Sequence, residues 1–148
     1  RLVRKLCLQC RERYGLLPEE RKELDKLFDI TTSLAHRRIH ELEQQAVHAG
    51  IGAKQPPGST ITQLTHLWQP NPDGCDQCGY TGYQGRVALT EALPVTDRLK
   101  KLIMGRSTAR QIYMDALKEG FIPLALDGLV KALRGETTAP EVLRVVRG

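Results

Sequence analysis

Aromatic residues are scarce, at 5% of the 148-residue chain, so any core must be assembled mostly from Leu, Ile, Val and Ala. Hydrophobic content is nevertheless an ordinary 41%, which suits one soluble domain or two small ones. No apolar run approaches the ~20 residues a membrane span requires, so direct membrane insertion is not expected. No apolar leader is present either; the cytoplasm is the expected compartment, because a site built on free thiolates suits a reducing environment. A phosphate loop is also missing. Gly52–Thr60 holds Gly, Lys, Ser and Thr, but not Gly-Lys-Ser/Thr in succession, and Pro56 and Pro57 delete two backbone donors. The charge balance, 22 Lys+Arg against 17 Asp+Glu for a net +5, is too slight for a nucleic-acid footprint. Thiolates loaded with a divalent ion would lower it further.

Cysteine is sparse but ordered. All four cysteines fall in two CxxC pairs, Cys7-Leu-Gln-Cys10 and Cys75-Asp-Gln-Cys78. Each such turn can aim two thiolates at one point, and two turns supply the S4 set that Zn²⁺ takes in closed structural sites. Residues 11–74 separate the pairs, longer than a common zinc-ribbon spacer, so a folded segment must bring them together. Gly79, just after the last cysteine, lets the turn pass through positive φ so that N–H groups can reach the thiolates. The alternatives are a redox CxxC, two disulfides, or four unconnected buried thiols. Redox motifs come singly beside a βαβ pattern, and disulfides suit secreted domains. Four cysteines would close the coordination shell, so a catalytic zinc with an open position is not expected.

The remaining residues read mostly as helices. Arg1–Leu6 enters the first pair as a strand or helix end. Arg11–Leu17 is a polar connector. Pro18–Phe28 is a helix with Pro18 at its start, Glu19 and Glu20 in its first turn, and Leu24, Leu27 and Phe28 recurring. Thr31–Ser33 offers caps for a second helix over Leu34–Ala49, with Leu34, Ile39, Leu42, Ala46 and Val47 on its apolar side. His36 and His40, one turn apart there, read as a solvated polar face rather than a metal clamp, and His48 and His66 likewise. Asn71–Gly74 is a turn that delivers the second pair. Strand character begins at Arg86 and Pro94 closes it. Four helices follow: Arg98–Met104, capped by Thr96 or Asp97, with Leu99, Leu102 and Ile103 inward; Ala109–Lys118, capped by Ser107 or Thr108; Leu124–Leu133; and a last one opening at Thr137 or Thr138.

In this order the features resemble a known family. Arg1-Leu2-Val3-Arg4-Lys5-Leu6-Cys7-x-x-Cys10 resembles the first cysteine knuckle of the type II secretion and type IV pilus assembly ATPases. Gly74-Cys75-x-x-Cys78-Gly79-Tyr80-x-Gly82-Tyr83-x-Gly85-Arg86 resembles their second knuckle. Asp127-Gly128-Leu129-x-Lys131 and Gly135-x-Thr137-Thr138-x-x-Glu141-Val142-Leu143-Arg144-Val145 resemble their C-terminal helices. The likeness covers 1–30 and 71–148, while 31–70 looks like a helical insertion.

The expected fold is therefore α+β and mostly helical. A tetracysteine zinc-binding subdomain over residues 1–93 would be followed by a small C-terminal helical bundle over 94–148. The resemblance implies that the pair is normally appended to a RecA-like ATPase core. It further implies a cytoplasmic hexamer at the bacterial inner membrane that hydrolyses ATP with Mg²⁺ to drive secretion or pilus assembly. Platform proteins of that membrane would be its partners. Opening on Arg1, the chain reads as a piece of such a protein. Only Cys7, Cys10, Cys75 and Cys78 carry over, as structural zinc ligands. No catalytic or nucleotide-binding residue does, and the piece alone is not expected to be an enzyme. The competing reading is a zinc-ribbon nucleic-acid binder, with Arg1, Arg4, Lys5, Arg37 and Arg38 on phosphates and Tyr80, Tyr83 and Trp68 stacking.

Overall fold

The computed structural model describes residues 1–52 and 54–147; Ala53, inside the Gly52–Thr60 stretch, and the last residue, Gly148, lie outside them. Two short antiparallel ribbons and six helices make up the described residues, an α+β architecture dominated by helix.

The ribbons explain how a long spacer is closed. Strand β1 (Leu2–Leu6) runs into the first cysteine pair and β2 (Glu12–Gly15) runs out of it. Strand β3 (His66–Gln69) approaches the second pair and β4 (Tyr83–Ala88) leaves it. β1 pairs with β4, Val3 opposite Val87, with a bulge between Arg4 and Leu6. β2 pairs with β3, Tyr14 opposite Leu67 and Arg13 opposite Trp68. Each cysteine turn thus joins one strand of each ribbon, and the two pairings hold both turns at one end. Arg11–Leu17, expected as a connector, contains β2. Four residues without clear alternation carry little signal, and β2 forms because β3 presents matching edge groups. β4 starts at Tyr83, before the first residue expected to be extended.

Helix α1 (Pro18–Leu27) and helix α2 (Ser33–His48) fill the spacer, α2 capped by the Thr32 hydroxyl accepting from Ala35 N–H. α3 (Asp97–Met104) and α4 (Ala109–Lys118) are capped the same way by Thr96 and Thr108. α5 (Leu124–Leu133) and α6 (Ala139–Arg147) follow. Val3, Leu64, Leu67 and Leu89 share one core with Ile39 of α2, Leu129 and Leu133 of α5, and Val142 of α6. α5 and α6 approach closely at Gly128, where a Cβ would stand 2.4 Å from a Val142 methyl. The α5–α6 turn is tied to β1: Leu6 N–H donates to Glu136 O at 2.9 Å and Thr137 Oγ1 donates to Arg4 O at 2.8 Å.

α2 is rotated from its expected setting. Leu34 is 74% exposed, while His36 and Glu43 are buried beside Ile39 and Leu42. His36 takes that place because both ring nitrogens find partners, Thr32 O at 3.1 Å and Asp25 of α1 at 3.0 Å. Ile103, expected inward, is also exposed, while Leu99 of the same helix is buried.

Candidate metal centre

The first turn, Cys7–Cys10, hangs from β1 by Cys7 N–H, which donates to Gly82 O of the second turn at 3.0 Å. The second begins with Cys75 and passes through a single 3₁₀ turn, Asp76–Cys78. It reverses at Gly79 and Tyr80, with φ of 59° and 62°, the left-handed region that glycine tolerates without strain. Gly74 is fixed more tightly, because a Cβ there would sit 2.4 Å from the Tyr80 carbonyl carbon.

These turns bring all four sulfurs within 4.8 Å of one another. Cys7 Sγ lies 3.7 Å from Cys75 Sγ, Cys10 Sγ 3.8 Å from Cys78 Sγ, and Cys75 Sγ 3.7 Å from Cys78 Sγ. A tetrahedron with Zn–S of ~2.3 Å has edges of about 3.8 Å. The thiols are free, and far outside the ~2.05 Å of a disulfide. Two edges join one turn to the other, so an ion there would cross-link residues far apart in sequence. The donor set and its spacing fit a single divalent ion that prefers sulfur.

The environment prepares part of the set as thiolate. At Cys78, burial pushes the thiol up, but N–H groups of Cys75 and Gly82 and the neighbouring thiols outweigh it and hold it down to about 6. The Gly82 N–H donates at 3.2 Å. At Cys7, the Gln9 N–H draws the thiol down against burial. Cys10 has less such help, and burial with its sulfur neighbours pushes it up to about 12. Bringing Cys10 to thiolate is therefore the step that a cation among the sulfurs would favour.

Arg4, Arg11 and Arg13, near the cysteine pairs in sequence, are engaged elsewhere. Arg4 donates to Glu141 at 2.8 Å and stacks on Tyr83 with its guanidinium carbon 4.1 Å from the ring centroid. Arg11 stacks on Trp68 at 4.6 Å and donates to Gly135 O. Arg13 donates to Pro56 O and Pro57 O. Two of the three rings suited to stacking on bases are thus covered by the protein's own arginines, and Trp68 Nε1 also donates to Leu133 O at 3.1 Å. Tyr80 alone of the three is largely exposed, its hydroxyl donating to Asp76.

The histidines were expected on a solvated face; His48 is exposed, but the structure corrects the expectation at His36 and His40. His36 is buried and His40 half-buried with Nδ1 3.3 Å from Ser59 Oγ. The two rings serve different partners.

Sequence reasoning missed one feature entirely. The Glu43 carboxylate is fully buried and accepts from Gly58 N–H at 2.7 Å, Ser59 N–H at 3.1 Å and Ser59 Oγ–H at 2.5 Å. Arg134 lies 3.6 Å away. In the loop that superficially suggests phosphate binding, these two backbone donors hold the chain's own carboxylate. The only sequence signal was a second acidic residue one step from Leu42 on the inward side of α2.

The family model of type II/IV secretion system proteins matches residues 1–144. The chain belongs to that family. It is 37% identical over 145 residues to "Type II secretion system protein E" of Xanthomonas campestris pv. campestris, covering 98% of this chain and 20% of that protein. Against the Aeromonas hydrophila protein of the same name it is 29% identical over 148 residues, covering 99% and 22%. Against "Type IV pilus assembly ATPase PilB" of Pseudomonas aeruginosa it is 42% identical over 77 residues, covering 52% and 13%. This family member therefore spans about a fifth or less of the length of these relatives. The match is not confined to the two flanks that carry the cysteine and glycine pattern; the family model runs through residues 31–70 as well.

Proposed function

We propose that the chain is the structural-zinc module of an ATP-driven secretion or pilus-assembly motor. In that motor it would act as a rigid docking element rather than as a catalyst. The convergence of four sulfurs from two distant turns, at edges suited to one tetrahedral ion, carries this reading. The family match supports the motor context. Cys7, Cys10, Cys75 and Cys78 would hold Zn²⁺, which supplies a cross-link between the ribbons. Such ions contribute ~10–16 kcal/mol of apparent binding free energy in small zinc-finger peptides. A chain this poor in aromatics gains from such a cross-link.

In this reading the ATP and Mg²⁺ sites belong to the rest of a longer protein, a hexamer in the cytoplasm against the bacterial inner membrane. The present chain by itself turns over no ATP. Its partners are platform proteins of that membrane. The test is retention of the folded, zinc-loaded chain by immobilised cytoplasmic segments of such a platform protein. Retention that is lost on chelation supports the module. No retention of the folded, loaded chain contradicts the docking role.

A further inference from the structure

An apolar groove of about 810 Å³ runs between the α1–α2 junction and α4. Leu27, Phe28 and Leu34 line one wall, and Met114, Leu117 and Phe121 line the other. It is open to solvent: Leu34 is 74% exposed, Met114 49% and Tyr113 46%. Contiguous apolar surface of this kind on a soluble protein marks an interaction site. Its form, a trough beside one helix with a polarizable Met and a T-shaped Tyr113–Phe121 pair in its wall, matches the grooves that seat one face of an amphipathic helix.

The charges along the trough select the occupant. Arg38 and Lys118 line it, against the single carboxylate of Asp29. Both cations remain largely in solvent: Arg38 reaches the exposed Glu41 at 3.8 Å and donates to Gly120 O at 3.4 Å, and Lys118, its side chain 67% exposed, lies 3.3 Å from Asp115, a buried carboxylate that Arg98 already holds at 2.6 Å. Arg37, beside Arg38, and Arg110, one turn before Met114, form no ion pair among the described residues. Glu91 approaches Tyr113, but its carboxylate is engaged by Leu124 N–H at 3.0 Å.

We propose that this groove seats an amphipathic helix of a partner protein, its apolar stripe in the trough and Asp or Glu on its flanks against Arg38 and Lys118. The inference gives the docking role proposed above a surface and rests on that reading only in taking the occupant to be a protein. It does not involve the cysteine cluster.

The chain contains two methionines, Met104 and Met114, and only Met114 lines the groove. The folded protein, with ¹³C-labelled methionine methyls, is titrated with a synthetic Leu/Glu/Ala helical peptide and with its Leu/Lys/Ala counterpart. The Met114 methyl shifts saturably with the acidic peptide while Met104 stays still. The basic peptide binds about five- to tenfold more weakly, and the double variant Arg38→Glu/Lys118→Glu reverses that order. An unmoved Met114, or equal affinity for both peptides, overturns the inference. So does a Met114 shift that follows protein concentration without peptide, which makes the groove a contact between copies. A failed platform pull-down with a responsive Met114 removes the partner assigned above and leaves the groove. A successful pull-down with a silent Met114 places docking elsewhere.

Discussion

Replacing Glu43 with Ala removes a fully buried carboxylate that accepts three hydrogen bonds, two of them from backbone N–H groups, and that lies 3.6 Å from Arg134. Breaking a buried pair from one side costs about 3–5 kcal/mol, because the partner's charge and the freed donors stay desolvated. A domain of this size has a total stability of about 5–15 kcal/mol, so the loss is a large share of it. For chains of roughly this length each kcal/mol moves the melting temperature by about 2–4 °C, and the variant should melt on the order of 10 °C lower. The loss should be local at its onset. In hydrogen exchange, the Gly58 and Ser59 amides should lose protection well before those of Leu129 or Leu133. Glu43→Gln should fall between wild type and Ala, since one oxygen still accepts. A Glu43→Ala protein that melts within about 2 °C of wild type, with Gly58 still protected, would refute the reasoning.

Two further perturbations act elsewhere. Burial would push the Glu141 carboxyl up, but hydrogen bonds from Arg144 and Arg4 outweigh it and hold it down to about 2, against an ordinary value of 4.5. Its stabilisation of the β1–α6 joint is therefore fully present above about pH 4.5 and is lost as the pH falls toward about 2. Thermal melts across that range should drop, and Glu141→Gln should flatten the drop; an equally steep fall in the variant counts against the assignment. Gly128→Ala should destabilise by about 1–3 kcal/mol despite the better helix propensity of Ala. The added methyl would meet a Val142 methyl at 2.4 Å, and a raised melting temperature would show that α6 can yield.

Local chemistry was readable from the residues. Thr96 and Thr108 cap α3 and α4 as their hydroxyls and positions suggested, and α5 spans the expected Leu124–Leu133. The two CxxC turns announced a shared site because their spacing is itself the geometry. What could not be read depends on partners distant in the chain. β2 and β3 are four residues each and exist through each other. His36 and Glu43 look like solvated residues of a polar helix until Asp25, Gly58, Ser59 and Arg134 are placed around them. The inward face of α2 was misjudged because Leu34 was weighed by hydrophobicity alone, whereas a satisfied carboxylate and imidazole took the buried positions.

The most direct test is the metal content of the purified, reduced chain, with its melting followed before and after chelation. The account predicts one zinc per chain, removed by a strong chelator together with a large fall in melting temperature and restored by added Zn²⁺. A folded chain that holds no metal and melts at the same temperature with or without chelator would contradict it.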